Sequence, residues 1–225
     1  MPETKDLFEN IAKVYDPLNT FFSMGFHKKW KTRLISEFKG AKKLLDLATG
    51  TSDVSINFIE HNPDSMAVGL DPSINMLLES KKKLKSKNLT EKIFITRGIA
   101  EDLPFNDGTF DAVTISFGIR NTVDPQKSLN EMHRVLNEKG SIGILEFSLP
   151  RNKVFGPVYM TYLNKFFPLI GSLFGASEEY RYLGDSISKF PNRSNFISLM
   201  ETAGFKDCRY EELNIGTVIM YRGFK

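Results

Sequence analysis

The sequence predicts an α/β fold in which helices cover both faces of a mostly parallel, seven-stranded sheet, with an N-terminal helical lid and a helical insertion before the last two strands. Strand-like apolar runs alternate with helical patterns between residues 43 and 148. Several of those runs are apolar on both faces, as central strands must be when helices cover both sides. The last two strand-like runs are separated by so short a turn that they must form an antiparallel hairpin.

The elements follow in order. "KLLDLA" (43–48) is a first strand, followed by a helix from Asp53 to His61. "SMAVGLD" (65–71) leads into a helix over 73–87, and "KIFITRG" (92–98) precedes the loop "IAEDLPFNDG". "FDAVTISFG" (110–118) leads to a helix near 125–136, and "GSIGILEFS" (140–148) closes the alternating series. Residues 150–188 are too long for a simple connection and read as a helical insertion. A helix over 192–203 ends at Gly204, a natural C-cap, ahead of "FKDCRYEEL" and "GTVIMYRGF". The division expected is one domain over 1–225: a lid in 1–38, a core in 43–148, an insertion in 150–190, and a last helix and hairpin in 191–225.

Composition narrows the function. Thirty basic against 27 acidic residues is too mild an excess for a nucleic-acid binder. The basic run "KKKLKSK" (81–87) reads as a solvated face near a helix C-terminus. Cys208 is the only cysteine, and "MPETKDLFEN" lacks the apolar core of a signal peptide, so a reducing cytoplasm is expected. The largely apolar stretch 154–175 is interrupted by Pro157, Asn164, Lys165 and Pro168. It reads as broken helices that line a pocket or touch a membrane rather than a span.

In such sheets ligands bind beyond the carboxyl ends of the strands, where strand order reverses. Three positions should meet there. In the turn "ATGTSD", Gly50 lets the backbone approach a ligand, and Thr51 and Ser52 offer hydroxyls and amides. Asp71, ending "VGLD", can accept both hydroxyls of a ribose. "ISFGIRN" ends the fourth strand. Each has a plainer reading: Gly50 as a turn glycine, Asp53 as a helix N-cap, Asp71 as the cap of the next helix. Together they point to a ribose-bearing ligand. A dinucleotide fits poorly, because Ala48 and Ser52 occupy glycine positions of such loops. A Y-x-x-x-K pair occurs only as Tyr221 and Lys225. S-adenosylmethionine has no pyrophosphate and needs fewer glycines. His27, His61 and His133 are scattered, so no metal centre is expected.

The strand order, "LDLATGTSD", Asp71, "AEDLPF" and the final hairpin resemble the class I S-adenosylmethionine-dependent methyltransferases, whose sheet is Rossmann-like and doubly wound. "YDPLNTFFSMGFHKKW" (15–30), "RVLNEKGSIGILEFS" (134–148), "ISFGIRN", "YRYLGDSISKFP" (180–191) and "GTVIMYRGFK" resemble the quinone-biosynthesis C-methyltransferases, the demethylmenaquinone and methoxy-polyprenyl-benzoquinol methylases. By position the resemblance implies that Thr51, Asp71, Ile99, Ala100 and Ser116 contact the cofactor, with Gly50 and Thr51 toward its methionine end. Ile99 departs from a commonly polar position, so recognition there must use backbone groups or Glu101. Ser52, Leu18, the turn Asn137-Glu138-Lys139 and Tyr221 are further departures.

The reaction implied is transfer of a sulfonium methyl group to a ring carbon of a polyprenyl quinol, demethylmenaquinol to menaquinol first among them. Arg120, beside Ser116, is the candidate for stabilising the phenolate or positioning a water, and Asn121 for sharing the oxygen contact. The alternative for Arg120 is a structural pair with a nearby carboxylate. Tyr15, Asp16 and His27 are expected in the lid, with packing as the alternative for His27 and Trp30. The stretch 154–175 then serves as an apolar groove for the prenyl tail, with contact at the inner face of the membrane. Ordinary core or a homodimer interface is the rival use. Rival functions are methylation of a sterol or phenolic oxygen, or adenosine binding without catalysis.

Overall fold

The computed structural model describes residues 9, 12, 15–163 and 177–225. Its centre is a seven-stranded sheet: β1 (Lys43–Leu47), β2 (Met66–Asp71), β3 (Ile93–Arg97), β4 (Phe110–Ser116), β5 (Leu136–Phe147), β6 (Lys206–Leu213) and β7 (Val218–Phe224). The order is β3-β2-β1-β4-β5-β7-β6. The first five strands run parallel, and β7 lies antiparallel between β5 and β6. Register is set by buried alternation. Leu45 sits opposite both Val68 and Val113, at the middle of the sheet.

Successive β1 residues point to opposite faces, so Leu44 and Leu45 enter different cores. On one face, α5 (Pro125–Val135) and α8 (Arg193–Thr202) bury Leu129, Met132, Phe196 and Met200 against Leu45 and Ile144. On the other, α2 (Phe26–Ile35) and α3 (Asp53–His61) bury Trp30, Leu34, Ile35 and Phe58 against Leu44 and Leu145. The remaining α-helices among the described residues are α1 (Tyr15–Phe22), α4 (Ile74–Ser86), α6 (Phe155–Thr161) and α7 (Ser177–Lys189). Among the described residues, no helix is long and apolar enough to cross a membrane.

Helix starts follow local chemistry. Ser73 Oγ accepts from the Met76 amide at 3.1 Å, and Asp124 from the Lys127 amide at 3.0 Å with Pro125 opening α5. Gly204, at φ 100°, follows α8 as expected.

Four local expectations are corrected. Ser52, not Asp53, is the N-cap of α3, and Asp53 lies inside the first turn. Ser73, not Asp71, caps α4. β5 begins at Leu136 rather than residue 140, because the polar Asn137-Glu138-Lys139 is absorbed by a bulge opposite Phe110–Ala112. The basic run is not wholly solvated: Lys83 turns inward to ion-pair with Asp16 and Asp53. Of the apolar stretch 154–175, residues 164–175 lie outside the described residues.

α2 lies close on β5 because position 143 has no side chain. A Cβ there would stand 2.6 Å from Leu34 Cδ1 and 2.7 Å from Phe38 Cζ. Gly143→Ala is therefore expected to lower unfolding free energy by about 1–3 kcal/mol, as measured by urea denaturation.

Candidate active site

Strand order reverses between β1 and β4, and the loops after these strands form the site. After β1 the backbone enters the left-handed region at Ala48, Gly50 and Ser52, with φ of 48°, 55° and 65°. This alternation winds the loop tightly. Beneath it, Asp46 is 1% exposed and accepts hydroxyls from Thr49 (2.7 Å), Ser55 (2.9 Å) and Thr114 (3.0 Å). Burial pushes its carboxyl up, against the three hydroxyl donors. One carboxylate thus ties the loop, α3 and β4 together.

Asp71, at the end of β2, accepts the Gly50 amide at 2.8 Å on one oxygen and the Ser73 amide at 2.9 Å on the other. Burial pushes its carboxyl up to about 6, opposed by those two amides. Each oxygen keeps acceptor capacity for a further donor. Ser116 Oγ is buried and has no hydrogen-bond partner among the described residues.

Two cavities share Tyr15, Ala48, Gly50, Ser116 and Phe117 as walls. The first, about 760 Å³, brings together six of the expected residues: Gly50, Asp71, Ile99, Ala100, Ser116 and Asn121. Ile99 is half exposed at its rim, whereas Ala100 is buried. The Glu101 carboxylate is turned to the Val123 amide at 2.7 Å, holding the loop that carries Asp124. Thr51 and Arg120 line the second cavity, about 390 Å³, with Gly50 and Ser116 common to both.

The Thr51 hydroxyl is committed elsewhere. It donates to Asp16 Oδ1 at 2.7 Å, and Lys83 Nζ reaches Asp16 Oδ2 at 2.6 Å and Thr51 Oγ1 at 3.3 Å. Lys31 adds an ion pair to Asp53 at 2.8 Å, which Lys83 also contacts. Burial pushes the Asp53 carboxyl up, but the two lysines hold it well below the usual carboxylate range. α1 is therefore fastened onto the turn after β1.

Arg120 lies over Phe147, its guanidinium carbon 5.5 Å from the ring centroid. Its Nη1 donates to Glu146 Oε1 and to the Phe117 carbonyl, both at 2.6 Å, and the pair is almost fully buried. Burial pushes the Glu146 carboxyl up, while Arg120 and the Phe147 and Arg120 amides draw it down. The arginine is both a structural partner and part of the cavity wall. Asn121 is linked to the same wall, since Tyr182 donates to its Oδ1 at 3.1 Å. The rest of the second cavity is largely apolar: Phe147, Phe155, Val158, Tyr159, Leu163 and Ile187. Four of these six come from the described part of the 154–175 stretch.

Residue-level reading missed Asp46, Glu146 and Lys83. Asp46 and Glu146 carried a signal, an acidic residue inside an otherwise apolar run. Lys83 carried none, being one of four lysines within five residues, Lys81–Lys85.

Residues 2–225 match the ubiE/COQ5 methyltransferase family. The chain belongs to that family. It is a methyltransferase by family membership. It is 41% identical over 222 residues to the ubiquinone/menaquinone biosynthesis C-methyltransferase UbiE of Geobacter sp. (strain M21), covering 97% of this chain and 94% of that one. The corresponding UbiE of Roseobacter denitrificans is 36% identical, with coverage of 97% and 89%. Among solved structures, a SAM-dependent methyltransferase from Thermotoga maritima superposes with a TM-score of 0.70 at 18% identity, covering 98% of this chain and 99% of that one. A phosphoethanolamine N-methyltransferase from Haemonchus contortus gives 0.65 at 14% identity, covering 88% and 52%. Both share the sheet architecture described above.

Truncating Glu146 strands a buried guanidinium. Glu146→Ala is expected to cost about 3–5 kcal/mol of stability, read as a lower urea midpoint.

Proposed function

We propose that this protein transfers the methyl group of S-adenosylmethionine to a ring carbon of a polyprenyl quinol in quinone biosynthesis, with demethylmenaquinol as the acceptor. The observation that carries this reading is the junction of two unlike cavities at Gly50 and Ser116. One offers a carboxylate with spare acceptor capacity and an unpartnered hydroxyl. The other is largely apolar and carries the buried Arg120 guanidinium in its wall.

The first suits a nucleoside. Asp71 would take the ribose hydroxyls, and Ser116 Oγ is left for a polar group of the cofactor. Ala100 and Ile99 offer apolar surface for the base. When bound, S-adenosylmethionine supplies an electrophilic methyl group on a sulfonium sulfur. The second cavity suits a quinol. Its aromatic and aliphatic wall takes the ring and the start of a prenyl chain. A quinol carbon attacks well only when its neighbouring oxygen is ionised, and Arg120 lines the cavity with a fixed positive charge to stabilise that oxygen. Its pairing with Glu146 keeps the guanidinium oriented. Alignment of two such sites contributes about 7–11 kcal/mol of barrier lowering.

Asp71 gives the cofactor half a pH signature. The acceptor form is the ionised one, so affinity for S-adenosylhomocysteine is expected to fall about tenfold per pH unit below about 6. Asp71→Asn should abolish that slope and weaken binding roughly 10–100-fold at pH 8, both read by calorimetry. For folding the sign is opposite. The folded carboxyl binds a proton between 3.8 and about 6 where the unfolded one does not, so this group's contribution to stability is complete below that window and declines as pH rises through it.

The quinol half is tested by labelled-methyl transfer. Reduced demethylmenaquinol should be methylated and its oxidised quinone should not. Reduced methoxy-polyprenyl-benzoquinol is the competing acceptor. Arg120→Gln should lower kcat about 10²-fold or more while leaving S-adenosylhomocysteine affinity within a few-fold. Tight cofactor binding without transfer to any quinol would overturn the reading.

A further inference from the structure

Methylation of a ring carbon leaves a hydrogen that must depart as a proton, and none of the residues assigned above receives it. The described residues lining the quinol cavity offer few acceptors. Arg120 is paired with Glu146 and Lys31 with Asp53, and neither side chain offers an acceptor atom. Burial drives the Tyr159 phenol further above its usual range, so its hydroxyl stays protonated. Asp46 is occupied by three hydroxyl donors beneath the loop.

His27 remains. It lies in the first turn of α2, is 6% exposed, and lines the cavity. Its hydrogen bonds fix the tautomer. Ser23 has one hydroxyl proton, and donates it to the Asn19 carbonyl at 2.6 Å. Toward His27 Nδ1, 2.7 Å away, Ser23 Oγ therefore acts as acceptor, and Nδ1 carries the ring hydrogen. Nε2 is left with its lone pair, and none of the described residues hydrogen-bonds to it.

We propose that His27 Nε2 accepts the ring proton released from the methylated quinol. This rests on the quinol-methylation reading. The acceptor ring enters as a phenolate, its hydroxyl proton having passed to water. The ring carbon's π pair forms the bond to the methyl carbon, and the carbon–sulfur pair departs on sulfur as a neutral thioether. The ring is then a neutral dienone with hydrogen and methyl on the same carbon. Its C–H pair returns to the ring, aromaticity is restored, and the oxygen near Arg120 regains its negative charge. The proton goes to Nε2, forming an imidazolium whose Nδ1–H still donates to Ser23. Return of that proton to the phenolate oxygen gives the neutral quinol and resets the histidine.

The environment suits this step and no earlier one. Burial and the charge of Lys31 push the imidazole down to about 4, with Lys28 acting in the same direction and Asp53 and Asp16 opposing. So weak a base cannot ionise a phenol, whose ordinary value is about 10. It readily takes a proton whose loss restores an aromatic ring. It is also neutral, and so ready to accept, throughout the neutral range.

The test combines a readout on the protein alone with one on turnover. NMR of ring-labelled histidines, with His27→Gln identifying the signal, should show the Nδ1–H tautomer and a titration midpoint near 4. Ser23→Ala should disturb that tautomer. His27→Gln should lower kcat roughly 10²–10⁴-fold with S-adenosylhomocysteine affinity and quinol KM within a few-fold. Deuterium at the acceptor carbon should slow His27→Gln several-fold and wild type little, because proton loss then limits turnover. Added imidazole should restore activity to His27→Ala. An Nε2–H tautomer, or variants matching wild type in rate and isotope effect, would overturn the proposal while leaving quinol methylation standing. A wild-type protein that methylates no quinol overturns both.

Discussion

The site depends on one buried carboxylate. Asp46 sits in the middle of the sheet with three hydroxyl donors, one from its own loop, one from α3 and one from β4. A charge at that depth is costly unless each oxygen is served. Meeting that requirement holds the turn after β1 in its tight winding. The winding aims the Gly50 amide at Asp71 and places Gly50 and Ser116 in the walls of both cavities. The two cavities are thus positioned from the same point.

A second constraint is ionic and lies nearer the surface. Lys83 and Lys31 gather Asp16 and Asp53 between α1, α2, α3 and α4. Each pair is partly solvated and modest in energy. Their value is positional, because they seat α1 on the turn after β1 so that Tyr15 contributes to both cavities. Thr51 belongs to this arrangement through its hydroxyl, which qualifies the direct cofactor contact that its sequence position implies.

The sheet was legible in the sequence because its signals are local. Apolar runs of strand length, glycine at 204 and the short turn at 214–216 each report their own conformation. The gathering of residues around the first cavity was legible for a related reason: they sit at strand ends, where topology alone brings them together. The limits have physical causes. Asn137 to Lys139 looked like a turn because a bulge lets polar residues ride on a strand. The inward turn of Lys83 depends on partners 30 and 67 residues away, beyond any periodicity. The partner of Arg120 is 26 residues distant on the neighbouring strand, so sequence alone left structural and chemical roles level. The geometry shows the structural pair, since Glu146 holds the guanidinium, and places the same side chain in the wall of the second cavity.

The placement of β7 governs how the molecule can be assembled. Although it follows every other strand in the chain, it lies inside the sheet, between β5 and β6. Among the described residues β6 pairs with β7 alone, and the outer edge of β5 also waits for it. During synthesis the five parallel strands can meet before the hairpin emerges, but β6 has no sheet edge to join until β7 arrives. Asn214 and Thr217, between the two hairpin strands, line the second cavity, and the Thr217 carbonyl takes the Ser148 amide at 2.9 Å. The loops after the first five strands can thus form on the ribosome, while the second cavity is walled in last, by the turn that leads into the strand sealing the sheet.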